Sequence, residues 1–129
     1  MKVLRSKNEH KRRSSFRIRR SKLLGKKIKN VFNEKIGMEL FEGTLNIDVN
    51  CKYLLGTDVI RFTPNEYGGT QEVLVKECKV LGNKSYMIRT KANENEEGTQ
   101  PINIIEIVSN VNFREKYNLK DGDKIEIIM

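Results

Sequence analysis

Tryptophan is absent from this chain, and histidine occurs once, at His10. A zinc site or a Ser–His–Asp triad needs histidine beside other ligating or reactive groups, and His10 stands in a basic run, so the sequence lacks both. No apolar run approaches the roughly 20 residues that span a bilayer, and no apolar segment follows the basic N-terminus as in a secretory signal. Cys51 and Cys78 form no CxxC motif, so we expect free thiols in a reducing cytoplasm, with one disulfide as the less favoured alternative.

The positive charge is confined to one end of the chain. Residues 1–22 carry a net charge of +9, whereas the remaining 107 residues carry −1. We therefore predict a basic leader at 1–22, either disordered or a degenerate first strand, and one domain over 23–129. The neutral body argues against a nucleic-acid-binding face on that domain, although the leader could contact nucleic acid or another anion.

Hydrophobic periodicity predicts one main helix followed by strands. The helix is expected over 22–36, with Ser21 as a candidate N-cap and Gly37 as the stop. Strands are expected at 44–49, 58–62, 72–81, 85–90, 102–108 and 124–129. Further predictions are a turn or loop at 64–69, a hairpin turn at Gly82-Asn83, a polar loop at 91–101 and one or two helical turns at 111–118. This pattern indicates a mainly β fold, a small and mostly antiparallel six-stranded barrel.

Two polar residues stand on one face of the first predicted strand, in the stretch FEGTLNIDV at 41–49. Thr44 and Asn46 are two residues apart and therefore point the same way, and Gly43 permits close approach of a ligand to the backbone. Hydroxyl and amide oxygens are hard neutral ligands, suited to a magnesium ion that keeps most of its water and shares a phosphate. The alternative is an ordinary strand with polar residues facing water.

Glu106 stands among isoleucines in INIIEIVS. Alternation places it on the same face as Ile102 and Ile104, so the carboxylate either faces solvent or is held by a specific partner. Further on, Arg114 and the backbone amides of a helix start could bind a phosphate or a base edge. For that segment the alternative is a capped surface turn.

Two blocks of this sequence resemble the archaeal CTP-dependent riboflavin kinase family. They are FEGTLNI, after a helix ending in KIG, and IIEIVSNVNFREKYNLKDGDKIEI at the C-terminus. The resemblance extends over about residues 30–129. It implies a six-stranded cradle-loop barrel that transfers the γ-phosphate of CTP to the ribityl 5′-hydroxyl of riboflavin. The products would be FMN and CDP, and one Mg²⁺ ion would assist. We expect a cytoplasmic monomer without a membrane partner.

The resemblance also implies roles for individual residues. Thr44 and Asn46 would hold the magnesium ion, which explains the polar pair after Gly43. Thr99 and Glu106 would contact the flavin, with Thr99 one residue nearer to Glu106 than the family pattern has it. Glu106 is also a candidate base for the riboflavin hydroxyl. The segment that would bind the cytidine nucleotide consists of Val111, Asn112, Phe113 and Arg114.

The N-terminus departs from the family pattern. The family carries a GxGxG stretch whose backbone amides cradle the nucleotide, whereas this chain has SSFRIRRS at 14–21 and no glycine before Gly25. The candidate substitutes are Ser15, Phe16, Arg17, Ile18, Arg19 and Arg20. Their arginines could supply positive charge to the phosphates, but not the close backbone wrap that glycines permit.

Three functions therefore remain open from the sequence. The first is a CTP-dependent riboflavin kinase. The second is a degenerate barrel that binds flavin or nucleotide without turnover, which the missing glycines favour. The third is a nucleic-acid binder that uses the basic leader as an arm, and the neutral body makes it the least favoured.

Overall fold

The computed structural model describes residues 3–5, 17–20 and 26–129. The strands are β1 Val3–Arg5, β2 Arg17–Arg20, β3 Gly43–Asp48, β4 Ile60–Phe62, β5 Val73–Val80, β6 Asn83–Thr90, β7 Ile104–Val108 and β8 Glu126–Ile128. The helices are α1 Lys26–Ile36, α2 Pro64–Tyr67, α3 Lys91–Glu94 and α4 Phe113–Tyr117. In these described ranges, no helix has the length and apolar character that a membrane crossing requires.

The strands form one antiparallel sheet with the order β1-β8-β5-β6-β7-β3-β2, and β4 pairs with β5 beside this path. Strands β3 to β8 form a curled half-barrel, which confirms the predicted fold class of a mainly β, six-stranded domain with one main helix. The short β1 and β2 fall within the predicted basic leader. The division of the chain at residue 22 stays a prediction.

Apolar residues divide between the two faces of the sheet. The inner face carries Leu45, Ile47, Ile105 and Ile107, which pack into the larger core cluster together with side chains of β6 and the C-terminus. The outer face packs against helix α1, whose amphipathic pattern buries Ile28 and Phe32.

Three aromatic rings join the main helix to the outer face of the sheet. The Phe32 ring meets Phe62 edge-on at a centroid distance of 5.6 Å and Tyr86 at 5.2 Å. Helix α1 ends at Gly37, whose φ of +86° suits glycine and whose amide donates to Asn33 O. The helix covers the later part of the predicted 22–36 range, and residues 21–25 lie outside the described residues.

Three local predictions need correction. The hairpin turn is one residue earlier than predicted, because Val80 pairs with Asn83 and the two turn residues are Leu81 and Gly82. Their φ values of 52° and 78° are those of a type I′ turn, which matches the twist of the flanking strands. The predicted loops at 64–69 and 91–101 contain the short helices α2 and α3.

Both cysteines are free, as predicted. Cys51 is exposed, whereas Cys78 lies in the core. Burial raises the pKa of the Cys78 thiol to about 12, and the nearby Glu77 carboxylate adds to the rise. Cys78 therefore acts as a small apolar side chain and has no thiolate chemistry near neutral pH.

Candidate active site on the outer face of the sheet

The predicted metal and flavin residues meet on adjacent strands. Asn46 of β3 and Glu106 of β7 are register partners, and residues so placed have Cβ atoms about 4.5–5.5 Å apart. Glu106 is also the register partner of Ile88, which belongs to the cluster beneath helix α1. Thr44 and Asn46 alternate with the inner-face residues Leu45 and Ile47, so they share this outer face with Glu106.

These polar groups are buried, although they stand on the face that the sequence left open to solvent. Glu106 is 8% exposed and Thr44 is 1% exposed, so the solvent-facing alternatives for both residues are wrong. Burial of a carboxylate is costly without specific partners. The outer face of β3 and β7 is therefore a specialised polar site within an otherwise apolar layer.

The Asn46 side chain provides an acceptor that the protein itself leaves unused. Its Oδ1 is buried and has no hydrogen-bond partner among the residues that the structure describes. Leaving such an atom unsatisfied costs about 1–3 kcal/mol. A buried amide oxygen that points at no donor fits a ligand for a hard cation, because a cation would supply the missing partner.

The leader brings two arginines to the same part of the sheet. In the β2–β3 pairing Arg17 is the register partner of Asn46, and Arg19 is the register partner of Thr44. Ile18 and Arg20 occupy the alternate positions, opposite Leu45 and Gly43. Ser15 and Phe16, the other candidate nucleotide residues of the leader, lie outside the described residues.

The C-terminal candidate segment lies near the start of β3. Val111 and Phe113 line a small pocket together with Gly43 and Thr44. The Phe113 side chain is buried in the inner core.

Two further members of this segment have contacts within the C-terminal region. Asn112 caps α4 by accepting from Glu115 N at 3.2 Å. The guanidinium of Arg114 pairs with Asp121 at 2.8 Å, in the LKDGD turn. This pairing links the two parts of the C-terminal block that carries the resemblance.

A larger cavity of about 550 Å³ lies next to this segment, at the C-terminal end of α1. Its volume falls in the range of small-molecule pockets. Phe41 lines both the cavity and the small pocket beside Thr44. The cavity is lined by Ile36, Gly37, Met38, Glu39, Leu40, Phe41, Lys84, Tyr86 and Asn110.

Comparison with known proteins identifies the family of this chain. Residues 24–129 match the family CTP-dep_RFKase, described as a domain of unknown function, DUF120. The chain belongs to the CTP-dependent riboflavin kinase family. The match covers the described domain from helix α1 to the last residue, and it confirms the family that the two sequence blocks indicated.

The relatives of this chain include riboflavin kinases from archaea. This chain is 33% identical over 103 residues to the riboflavin kinase of Staphylothermus marinus, and the match covers 78% of this chain and 75% of the relative. It is 28% identical over 107 residues to that of Sulfurisphaera tokodaii, covering 74% of each. Against the riboflavin kinase of Methanocella arvoryzae the identity is 27%, over 78% of this chain but only 46% of the longer relative.

Thr99 is the predicted site residue that the structure leaves apart from the others. It is exposed in the segment between α3 and β7, and this segment rejoins the sheet two residues before Glu106. A Cβ at the neighbouring Gly98 would lie 1.8 Å from Asn93 Oδ1, so the Asn93 side chain would have to move. Asn93 Oδ1 in turn accepts from Gln100 N at 3.3 Å, so local contacts shape the segment around Thr99.

Sequence reasoning missed a buried ion pair behind this segment. Arg89, at the end of β6, is 3% exposed, and its Nη1 lies 2.9 Å from Glu94 Oε1. An arginine directly after the apolar residues of β6 was the available signal, in the stretch SYMIRT. The sequence pattern could not identify Glu94 as its partner, because residues 91–101, which contain α3, were predicted to form a loop.

Proposed function

We propose that this family member transfers the γ-phosphate of CTP to the 5′-hydroxyl of riboflavin, with one bound Mg²⁺ ion. The new bond joins the riboflavin oxygen to the γ-phosphorus, and the bond to the β-phosphate oxygen breaks. The products are FMN and CDP, and the hydroxyl proton is released. Membership of the family supports the flavin acceptor, and the name of the family supports the CTP donor.

The observation that carries the proposal is the buried, unpartnered Oδ1 of Asn46 opposite Glu106. Thr44 and Asn46 would hold the ion, which would neutralise phosphate charge when bound. The neighbouring Glu106 carboxylate would orient the riboflavin hydroxyl and accept its proton. Because phosphoryl transfer depends mainly on alignment and charge neutralisation, these groups suffice without histidine.

The donor would lie between the leader and the C-terminal segment. Backbone groups of residues 111–114 would contact the nucleotide, and the 550 Å³ cavity beyond Phe41 would accommodate its nucleoside part. Arg17 and Arg19 stand opposite the proposed metal residues, where positive charge would favour the triphosphate. They would take over part of the role that a glycine-rich loop has elsewhere in the family.

The second candidate is a barrel that binds flavin without turnover. The lack of any glycine before Gly25 favours it, because arginine side chains cannot reproduce a backbone cradle around phosphates. The two functions share the flavin site and differ in whether the donor is bound productively.

One assay separates these functions. The full chain is mixed with riboflavin, Mg²⁺ and either CTP or ATP, and FMN is measured by chromatography, with EDTA in a parallel reaction. We expect FMN with CTP, much less with ATP, and none with EDTA. Flavin binding without FMN would select the second candidate. FMN formation at equal rates from both nucleotides would contradict the proposed donor.

A further inference from the structure

The buried Arg89 helps to hold the segment that carries Thr99. The Arg89 guanidinium donates from Nη1 to Tyr53 O at 2.7 Å and to Glu94 Oε1 at 2.9 Å. From Nη2 it donates to Ile102 O at 3.2 Å and to Ile104 O at 3.0 Å. One side chain thus contacts residues on both sides of the stretch 95–101.

Glu94 extends the same contact to a third part of the chain. Its two carboxylate oxygens accept from Leu55 N at 3.1 Å and from Gly56 N at 3.0 Å. Burial raises the pKa of Glu94, but the hydrogen bonds from Arg89 and from these two amides outweigh it and leave the pKa below its usual value. Glu94 is therefore ionised at neutral pH, and the pair is a charge-assisted one.

Apart from the exposed ion pair of Glu96 with Lys52, the other hydrogen bonds of this stretch are local. Glu97 N and Gly98 N both donate to Ala92 O, at 2.7 and 3.1 Å. These bonds shape the turn but do not attach it to the barrel. Residues 95–99 are exposed, so burial of their side chains contributes little to holding them. The Arg89–Glu94 pair is thus a major attachment between this stretch and the rest of the domain.

We propose that the Arg89–Glu94 pair is the positioning device of the flavin site, which holds the stretch 95–101 in place and thereby sets the affinity for flavin. The inference rests on the proposed function through the flavin role of Thr99. A stability role alone explains less, because a buried ion pair is often no more stabilising than apolar residues of the same volume. Apolar residues could not bind the carbonyls and amides of three segments at once.

The test uses Glu94→Gln, which keeps the size of the side chain and removes its charge. The control is Lys52→Gln, which breaks the exposed ion pair of Lys52 with Glu96 at 2.6 Å. Both variants cut an ion pair of an acidic residue within 94–96, and only the first cuts the buried one. A thermal melt followed by circular dichroism establishes that each variant is folded.

Two readouts are measured on the full chain. Hydrogen exchange of the ligand-free protein is expected to become at least about tenfold faster over 95–101 in Glu94→Gln and to stay unchanged in Lys52→Gln. Quenching of flavin fluorescence is expected to show about tenfold weaker FMN binding for Glu94→Gln only. The KM for CTP is expected to stay within about twofold, because the pair touches no part of the proposed donor site.

Each contrary outcome has a distinct meaning. Unchanged exchange in Glu94→Gln would overturn the positioning role, whatever the protein catalyses. Equal losses of flavin and CTP affinity would also overturn it, since they would indicate a general loss of structure. Wild-type protein that binds no flavin would overturn the proposed function and the flavin part of this inference, while the exchange result would still decide the attachment. If Glu94→Gln does not fold, Arg89→Lys is measured in its place, with the same outcomes expected.

Discussion

The two faces of strands β3 and β7 differ sharply, although alternate residues of the same strands form both. On the inner face, Leu45, Ile47, Ile105 and Ile107 are at most 2% exposed and wholly apolar. On the outer face, Asn46 and Glu106 stand opposite each other beside the apolar cluster beneath α1. The apolar packing of the inner face stabilises the fold. The buried Asn46 acceptor on the outer face instead lowers the free energy of unfolding.

This difference indicates which residues fold the protein and which act on a ligand. A buried polar group without a partner reduces the free energy of unfolding, so a folding role does not account for Asn46. Substitutions on the two faces should therefore have opposite signatures. Changes on the inner face should affect the free energy of unfolding, and changes on the outer face should affect turnover.

The largest effect is expected for Glu106→Gln. If Glu106 accepts the riboflavin proton, its loss should lower kcat by about 100-fold to 10,000-fold. The amide keeps the shape of the side chain, so the KM for CTP should change little. The measurement is steady-state kinetics with riboflavin and CTP varied separately. An unchanged turnover rate would remove the proposed base role.

The second-largest effect is expected for Asn46→Ala on the outer face, and Ile47→Val on the inner face serves as its comparison. Asn46→Ala should lower activity by about 100-fold through the loss of a metal ligand, with a free energy of unfolding that is unchanged or higher. Ile47→Val should lower that free energy by about 0.5–1.5 kcal/mol and leave kcat unchanged. Urea denaturation and FMN assays over a range of Mg²⁺ concentrations measure both. Loss of stability in Asn46→Ala without loss of activity would reverse the assignment.

The sequence could predict the inner face better than the outer one. Alternation of Leu45, Ile47 and Val49 identifies the buried face of β3, because an apolar layer needs only the period of a strand. The burial of Glu106 could not be read in this way, since the helix that covers its face is set by contacts far apart in sequence. Leu81 at a positive φ was missed for a related reason. That backbone region is uncommon for leucine, and here the twist of the paired strands requires it.

The arrangement of the candidate site could be predicted only in part, because the sequence does not show which strands pair. The alternation in β3 and β7 placed Thr44, Asn46 and Glu106 on particular faces, but the register that puts Asn46 opposite Glu106 depends on the order of strands in the sheet. The buried Arg89–Glu94 pair was not predicted at all, because the groups that Arg89 binds come from three separate parts of the chain.

The smallest effect is expected in the leader, where the outer face continues onto β2. Arg17→Ala should raise the KM for CTP by about tenfold, since a hydrogen bond to a charged group is worth about 1.5–3 kcal/mol before exposure to solvent weakens it. The KM for riboflavin should not change. The control is Arg61→Ala. It removes an exposed arginine of β4, which pairs with Glu72 directly before β5. Kinetics at two salt concentrations provide the measurement, because screening should shrink the difference between Arg17→Ala and wild type.

If both variants raise the KM for CTP equally, the leader acts through its net charge alone. In that case the register of Arg17 with Asn46 has no part in binding the donor, and the glycine-rich loop of the family has no replacement at this edge of the sheet.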